Sequence, residues 1–479
     1  MKIKDRYKSM SIQAKSGIWF IACSFLQKGI SFITMPIFTR LLSADEYGTY
    51  SLYLSWLQLI AIVTSLNLYY GVLDNGMSKF EDDRDRFISS MQGLTITITT
   101  LVFFVYCAAR HFWAKVLGLA PAYIILMFIE LFVRPAIFFW SGRNRFEYSY
   151  KKLVFVTLFK SLANPVLGLL MVLSIPERDY ARVLSVVIVE VAFCGALMII
   201  QFVKGKVFYD GKYWKYGLKL AFPMLPHYLS GMILSQGDRI MIEKMVDKAS
   251  VAFYSVAYSI GMLVQIFTSA INSAITPWFY EKFKTNTEDG VAETTNGLLL
   301  FVAGISACLM LLSPELIMIF GSSEYIQGAA VIPPVASSVF FIFLYYVFSL
   351  PQFFFEKTRF LFIASLCAAF FNIFLNFFFI KLYGYVAAGY TTLICYVAYS
   401  VGHFIVSKKV IIQNMGGKKL FDIKTISLIS AVLITFSIVV GQLFDYRFLR
   451  FSLLLVGCAV VFWKRGFIMV FFTKKASKE

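Results

Sequence analysis

Residues 17–38 read Gly17-Ile-Trp-Phe-Ile-Ala-Cys-Ser-Phe-Leu-Gln-Lys28-Gly-Ile-Ser-Phe-Ile-Thr-Met-Pro-Ile-Phe38. As an α-helix such a stretch extends about 33 Å, enough to cross the roughly 30 Å hydrocarbon core of a bilayer. It follows Lys2, Lys4, Arg6, Lys8 and Lys15, which resembles the basic end of a signal peptide. The apolar run is too long for one and no small-residue cleavage site follows, so it is expected to stay as a helix. Its single charge, Lys28, stands at the middle, about 15 Å from either end and beyond the reach of a snorkelling lysine.

The rest of the chain repeats this pattern. Of 479 residues, 59% are hydrophobic and only 15% charged, against about 25% charged in soluble domains, which excludes a soluble enzyme. Apolar blocks fall at 17–38, 48–72, 88–109, 116–139, 153–175, 181–203, 217–241, 251–277, 297–320, 330–350, 359–380, 385–407, 425–444 and 448–472. The fold class expected is therefore an all-α integral membrane protein of about fourteen transmembrane helices. With the N-terminus inside, 30 basic residues fall on the cytoplasmic side and 11 on the other. This asymmetry supports the count and puts both termini in the cytoplasm. It also explains the net charge of +18 without nucleic acid.

Connections between the blocks are too short for a catalytic domain, and no G-x-x-x-x-G-K-[ST] phosphate loop occurs. The seven Cys lie in apolar stretches without metal-ligand spacing, and His111, His227 and His403 are scattered. The expectation is no catalytic residue, no metal and no cofactor.

Charges within spans are costly, roughly 2.5–3.5 kcal/mol each on insertion scales, and so mark functional positions. Besides Lys28, the first half holds Glu130 and Arg134 at i, i+4 spacing, Lys160 one turn before Asn164-Pro165, and Glu190. Lys28, Arg134 and Lys160 are the expected cavity cations. Glu130 and Glu190 are the acids expected to pair with them or to carry a coupling proton, Glu190 with Lys28 or Lys160. The second half is polar rather than charged, with His227, Gln265, Asn272, Asn372 and Asn376 as candidate contacts and Pro223 and Pro226 as candidate kinks. Hydrogen bonds between helices explain such amides equally well.

At an offset of 204, Arg40-Leu-Leu-Ser-Ala-Asp-Glu-Tyr-Gly-Thr-Tyr-Ser51 aligns with Lys244-Met-Val-Asp-Lys-Ala-Ser-Val-Ala-Phe-Tyr-Ser255, Ser43 falling on Asp247 and Gly48 on Ala252. Such self-similarity marks transporters built from two halves. The expected division is a six-helix lobe at 1–203, a linker at 204–216, a second six-helix lobe at 217–407, a linker at 408–424, and two further helices with a basic tail at 425–479.

With Ser16-Gly-Ile-Trp19, the segment Pro36–Tyr50, Asp238-Arg239 and Ala252–Tyr258, spans 1–12 resemble the polysaccharide (O-antigen or capsule, Wzx-like) flippases of the multidrug, oligosaccharidyl-lipid and polysaccharide exporter group. The resemblance implies two lobes around a central cavity. It also implies movement of an undecaprenyl-pyrophosphate-linked oligosaccharide from the inner to the outer leaflet of a bacterial inner membrane. Polysaccharide-assembly proteins are candidate partners, an H⁺ or Na⁺ gradient is a candidate driving force, and the transport unit is expected to be a monomer. The alternatives are a lipid II flippase and a small-molecule or multidrug antiporter of the same fold; an antiporter for cations should line its cavity with acids, and the charges here are net basic.

Overall fold

The computed structural model describes residues 10–357 and 359–463, so the N-terminal basic cluster up to Lys8 and the basic tail from Lys464 lie outside the described residues. Helices account for the architecture, and no strand occurs among the described residues. In chain order they are α1 Ile12–Leu41, α2 Ala44–Ser65, α3 Val72–Lys79, α4 Arg84–Ala108, α5 Arg110–Leu117, α6 Pro121–Val133, α7 Pro135–Phe146, α8 Tyr150–Ser174, α9 Arg178–Glu190 and α10 Ala196–Gly205. They continue as α11 Gly211–Met245, α12 Lys248–Gly261, α13 Val264–Lys284, α14 Val291–Leu311, α15 Ser313–Phe320, α16 Ile332–Phe354, α17 Arg359–Tyr383, α18 Val386–Met415, α19 Ile423–Val439 and α20 Arg447–Trp463.

Among the described residues, eleven helical stretches are long and apolar enough to cross a membrane. The three expected spans not among them are α2, α11 and α20. The last expected span, 448–472, runs beyond the described residues. The other two are polar for a physical reason: α2 and α11 pack along each other, so neither needs a wholly lipid-compatible surface. Several expected spans are also broken. Consecutive left-handed residues Leu66 and Asn67 end α2, leaving 72–79 as a separate short helix. Arg134-Pro135 divides α6 from α7, and turns at 262–263 and 312 divide α12 from α13 and α14 from α15. By contrast α11 stays helical through Pro223 and Pro226.

By packing, the chain forms two compact units, Met1–Val251 and Ala252–Glu479. The expected lobes follow the sequence repeat and the units follow contacts, so α11, and with it His227, lies in the first unit.

In the first unit, Leu52, Tyr53 and Leu57 of α2 meet Ile124, Met127 and Leu131 of α6 and Val183 and Val187 of α9. The helices around this core carry large apolar side chains outward, among them Phe155, Leu170 and Leu173 of α8, as lipid-facing surfaces do. The repeat segments have a common local device. Ser43 caps α2 by accepting from the Glu46 amide at 3.3 Å while Glu46 Oε2 accepts from the Ser43 amide at 2.7 Å, a capping box. At the matching place in the repeat, Asp247 Oδ1 accepts from the Ser250 amide at 2.6 Å. The two segments also touch: a Cβ on Gly48 would stand 1.9 Å from the Lys248 carbonyl oxygen, so only glycine admits that backbone.

In the second unit α16 is the central helix, buried along nearly its whole length, and it packs against α14, α18 and α19. Arg450 of α20 is 2% exposed. It clasps Glu315 of α15 through both terminal nitrogens, at 2.7 and 2.8 Å, and donates to the Leu311 carbonyl at 2.6 Å.

Candidate functional site

The first unit contains a cavity of about 640 Å³ lined by α1, α2, α6, α7, α8 and α9. Helical spacing selects which residues face it. On α9 these are Arg182, Val186 and Glu190, each four apart; on α6 and α7, Glu130, Arg134, Ser141 and Arg145; on α8, Thr157, Lys160, Asn164 and Pro165.

Two ion pairs occupy its wall. Arg134 Nη1 lies 2.9 Å from Glu130 Oε1, and the Tyr53 hydroxyl donates to Glu130 Oε2 at 3.0 Å. Lys160 Nζ lies 2.6 Å from Glu190 Oε1, whose other oxygen accepts from Cys194 Sγ at 3.0 Å. Both carboxylates are buried, and each is matched by a cation and a second donor, as a charge removed from water requires. Directly after Glu190 the helix widens into a π-helical turn, Val191–Gly195, which carries Cys194. Such turns recur at functional positions.

Two further cations line the cavity. Arg145 is exposed and lines the cavity, with Nη2 donating to Ser141 Oγ at 3.3 Å. Arg182 is 6% exposed. Its Nη1 donates to Asn164 Oδ1 at 3.0 Å and Ser185 Oγ at 3.3 Å, and its Nη2 to the Tyr50 hydroxyl at 3.2 Å. The guanidinium also stands 4.0 Å from the Phe38 ring centre. With Arg134, Arg145, Lys160 and Arg182 against Glu130 and Glu190, the lining has two more cations than acids. It suits an anion better than a cation.

The cavity thus brings together four of the five expected charged residues: Glu130, Arg134, Lys160 and Glu190. Lys160, not Lys28, is the partner of Glu190. Lys28 is left out. The cavity face of α1 runs through Ser24, Gln27 and Ser31, and Lys28 lies one position off that stripe, exposed and without an ion pair among the described residues. Arg182 and Arg145 were not anticipated, because counting charges by side assigns cations near span ends to loops. The signal for Arg182 was its spacing of eight from Glu190, which puts the two on one helical face.

The polar residues expected in the second half separate into groups. Asn372 and Asn376 are fully buried; Asn376 donates to Asn372 Oδ1 at 3.2 Å, Asn372 donates to Thr392 Oγ1 at 3.4 Å, and Thr391 donates to Asn376 Oδ1. They tie α17 to α18. Gln265 and Asn272 lie on α13, half-buried, and share no hydrogen bond with those asparagines. The Asn272 side-chain oxygen is buried without a partner. His227 is half-buried on α11, its ring 5.8 Å from that of Tyr228.

The family described as "Polysaccharide biosynthesis protein" matches residues 14–283, which include every residue lining the cavity. An uncharacterized membrane protein of Haemophilus influenzae is 25% identical over 290 residues, covering 57% of this chain and 67% of its own length. This chain therefore spans about two thirds of that relative. Among solved structures, a lipid II flippase MurJ in an inward closed conformation superposes with a TM-score of 0.73 at 15% identity, over 94% of this chain and all of the other. A multidrug resistance MATE family transporter of the MOP superfamily, in an inward-facing conformation, superposes with a TM-score of 0.65 at 12% identity, over 83% of this chain and 96% of the other. These likenesses establish the fold.

Proposed function

Because this chain belongs to the polysaccharide biosynthesis protein family, we propose that it is a flippase for undecaprenyl-pyrophosphate-linked oligosaccharide, an O-antigen or capsular repeat unit. It carries its substrate from the inner to the outer leaflet of the bacterial inner membrane by alternating access, with both termini in the cytoplasm.

The observation that carries this reading is the excess of cations in the cavity of the first unit. A pyrophosphate stripped of water needs fixed cations, and guanidinium and ammonium groups supply them as hydrogen-bond donors that cannot themselves accept. Arg145, exposed and without an ion pair among the described residues, is the lining cation most open to an incoming anion. Arg134 and Lys160, each already shared with a carboxylate, are the groups an incoming anion would draw away. Competition between the anion and Glu130 or Glu190 for the same cation gives a wall with two states. Such a wall is what alternating exposure needs, and the released acids are where an H⁺ gradient would couple. Lipid bilayer components and the oligosaccharide are the proposed partners, with one chain as the transport unit.

The test is the leaflet location of lipid-linked oligosaccharide in cells depleted of this protein, read with a membrane-impermeant probe for the sugar. Accumulation out of the probe's reach, relieved by the wild-type chain, is expected. Normal labelling in depleted cells would overturn the reading and leave small-molecule efflux to be tested.

A further inference from the structure

Arg134 and Lys160 are paired with acids and Arg145 is exposed, whereas Arg182 is buried and forms no ion pair among the described residues. Its hydrogen-bond partners, Asn164, Ser185 and Tyr50, are all neutral. Both acids of the lining are committed elsewhere, Glu130 to Arg134 and Glu190 to Lys160. At the nearby helix ends Asp179 accepts from the Tyr123 hydroxyl at 2.8 Å and Glu46 closes the capping box of α2, and Arg182 forms no ion pair with any carboxylate among the described residues. A guanidinium 6% exposed with no counter-charge among the described residues is costly, which fits an anion that arrives from outside the chain.

The space around it is built. A Cβ on Gly168 would stand 2.6 Å from Arg182 Nη1 and 2.9 Å from the Phe38 ring. The helix α8 therefore leaves a gap in which the guanidinium sits between the Phe38 and Tyr50 rings, 4.0 and 4.9 Å from their centres.

Donor bookkeeping then identifies the unused edge. A guanidinium has five N–H groups. Nη1 spends its two on Asn164 and Ser185, and Nη2 spends one on Tyr50. What remains is the second Nη2 hydrogen and the Nε hydrogen, and Nε is buried without a partner. Nε and Nη2 share one edge of the guanidinium, and with Tyr50 on the Nη2 hydrogen away from Nε that edge is the arrangement that binds both oxygens of a carboxylate or phosphate at once. Around the guanidinium stand the Tyr50 hydroxyl on Nη2, the Asn164 amide on Nη1 and the Phe38 and Tyr50 rings, groups that suit the hydroxyls and apolar face of a sugar. A pyrophosphate would need further cations close by, and the nearest charged residue on α9 that lines the cavity is Glu190, about 12 Å along the helix.

We propose that Arg182, with Tyr50, Asn164 and Phe38, forms a subsite for the carboxylate of an acidic sugar in the transported oligosaccharide. The assignment of that sugar to a lipid-linked substrate rests on the flippase reading above; the anion site itself does not.

The experiment is a thermal-unfolding titration of the purified full chain in detergent with sodium glucuronate, glucose or inorganic pyrophosphate at matched ionic strength. The chains compared are wild type, Arg182→Lys, Arg182→Gln and Arg145→Gln. Glucuronate is expected to raise the midpoint of the wild type where glucose does not. Arg182→Lys keeps the charge and loses the edge, so its half-saturating glucuronate concentration should rise about tenfold, the equivalent of one lost charge-assisted hydrogen bond. The pyrophosphate response should survive Arg182→Lys and fall in Arg145→Gln. Equal responses to glucuronate and glucose, or an undiminished glucuronate response in Arg182→Gln, would overturn the subsite. A pyrophosphate response lost with Arg182 would overturn it in favour of the carrier's phosphates. If Arg182→Gln does not fold, the lysine variant decides. Normal leaflet labelling together with Arg182-dependent glucuronate binding would sink the flippase reading and leave the subsite standing.

Discussion

The two units handle buried polarity in opposite ways. The first lines a cavity with four cations and two acids. In the second, the buried polar cluster is neutral, with Asn372, Asn376, Thr391 and Thr392 bonded to one another, and a single ion pair among the described residues, Arg450 with Glu315. Amides whose hydrogen bonds are spent on each other fasten helices and have little left for a ligand. Charged pairs on a cavity wall have partners that can be exchanged. On the function proposed above, transport chemistry belongs to the first unit and helix fastening to the second.

Breaking the Lys160–Glu190 pair should give the largest effect. Glu190→Ala leaves a lysine unpaired among buried groups, at a cost of about 3–5 kcal/mol, seen as a large fall in the unfolding midpoint and loss of export. The double variant Lys160→Met with Glu190→Met sharpens the point. It should recover most of the stability, since replacing both partners by apolar groups is often neutral, yet still fail to export. Recovered export would make the pair merely structural.

Gly48→Ala should come next, because the new methyl group meets backbone at Lys248 rather than a side chain that can rotate; overpacking of this kind costs about 1–3 kcal/mol. An unchanged midpoint would show that the two repeat segments are not held as described. Asn376→Ala should be milder, about 0.6 kcal/mol and at most about 1.7, the range for hydrogen bonds between helices in bilayers, with export kept. Export lost at full expression would move function into the second unit. Lys28→Ala should reduce export less than Arg134→Ala does, because Lys28 lies off the cavity stripe of α1. The reverse order would place the substrate on the exposed face of that helix.

Much of this was legible in the sequence. Apolar blocks bounded by charges located most helices, and Glu130–Arg134 was readable from its spacing alone. The alignment of Ser43 with Asp247 put in register two positions that the structure shows to be helix caps, with letters that differ but share an acceptor oxygen. Three kinds of feature were harder to see. Breaks such as Leu66–Asn67 depend on local backbone geometry that residue type does not announce. The polarity of α2 and α11 reflects their packing on each other. Arg182 reads as a loop cation until α8, α9 and α2 are seen to close around it, and Lys28 reads as a cavity cation until the stripe on α1 is placed, because a helix rotates by 100° per residue and one position decides the face.

The central claim, that the paired charges of the first unit carry a lipid-linked oligosaccharide across the bilayer, is tested most directly by reconstitution. Purified wild type and the Lys160→Met, Glu190→Met double variant would be placed in liposomes containing lipid-linked oligosaccharide, and the fraction of sugar open to an impermeant glycosidase followed over time. The account predicts that wild type exposes the sugar initially facing the lumen and that the double variant leaves it protected. Equal exposure by both chains would contradict it.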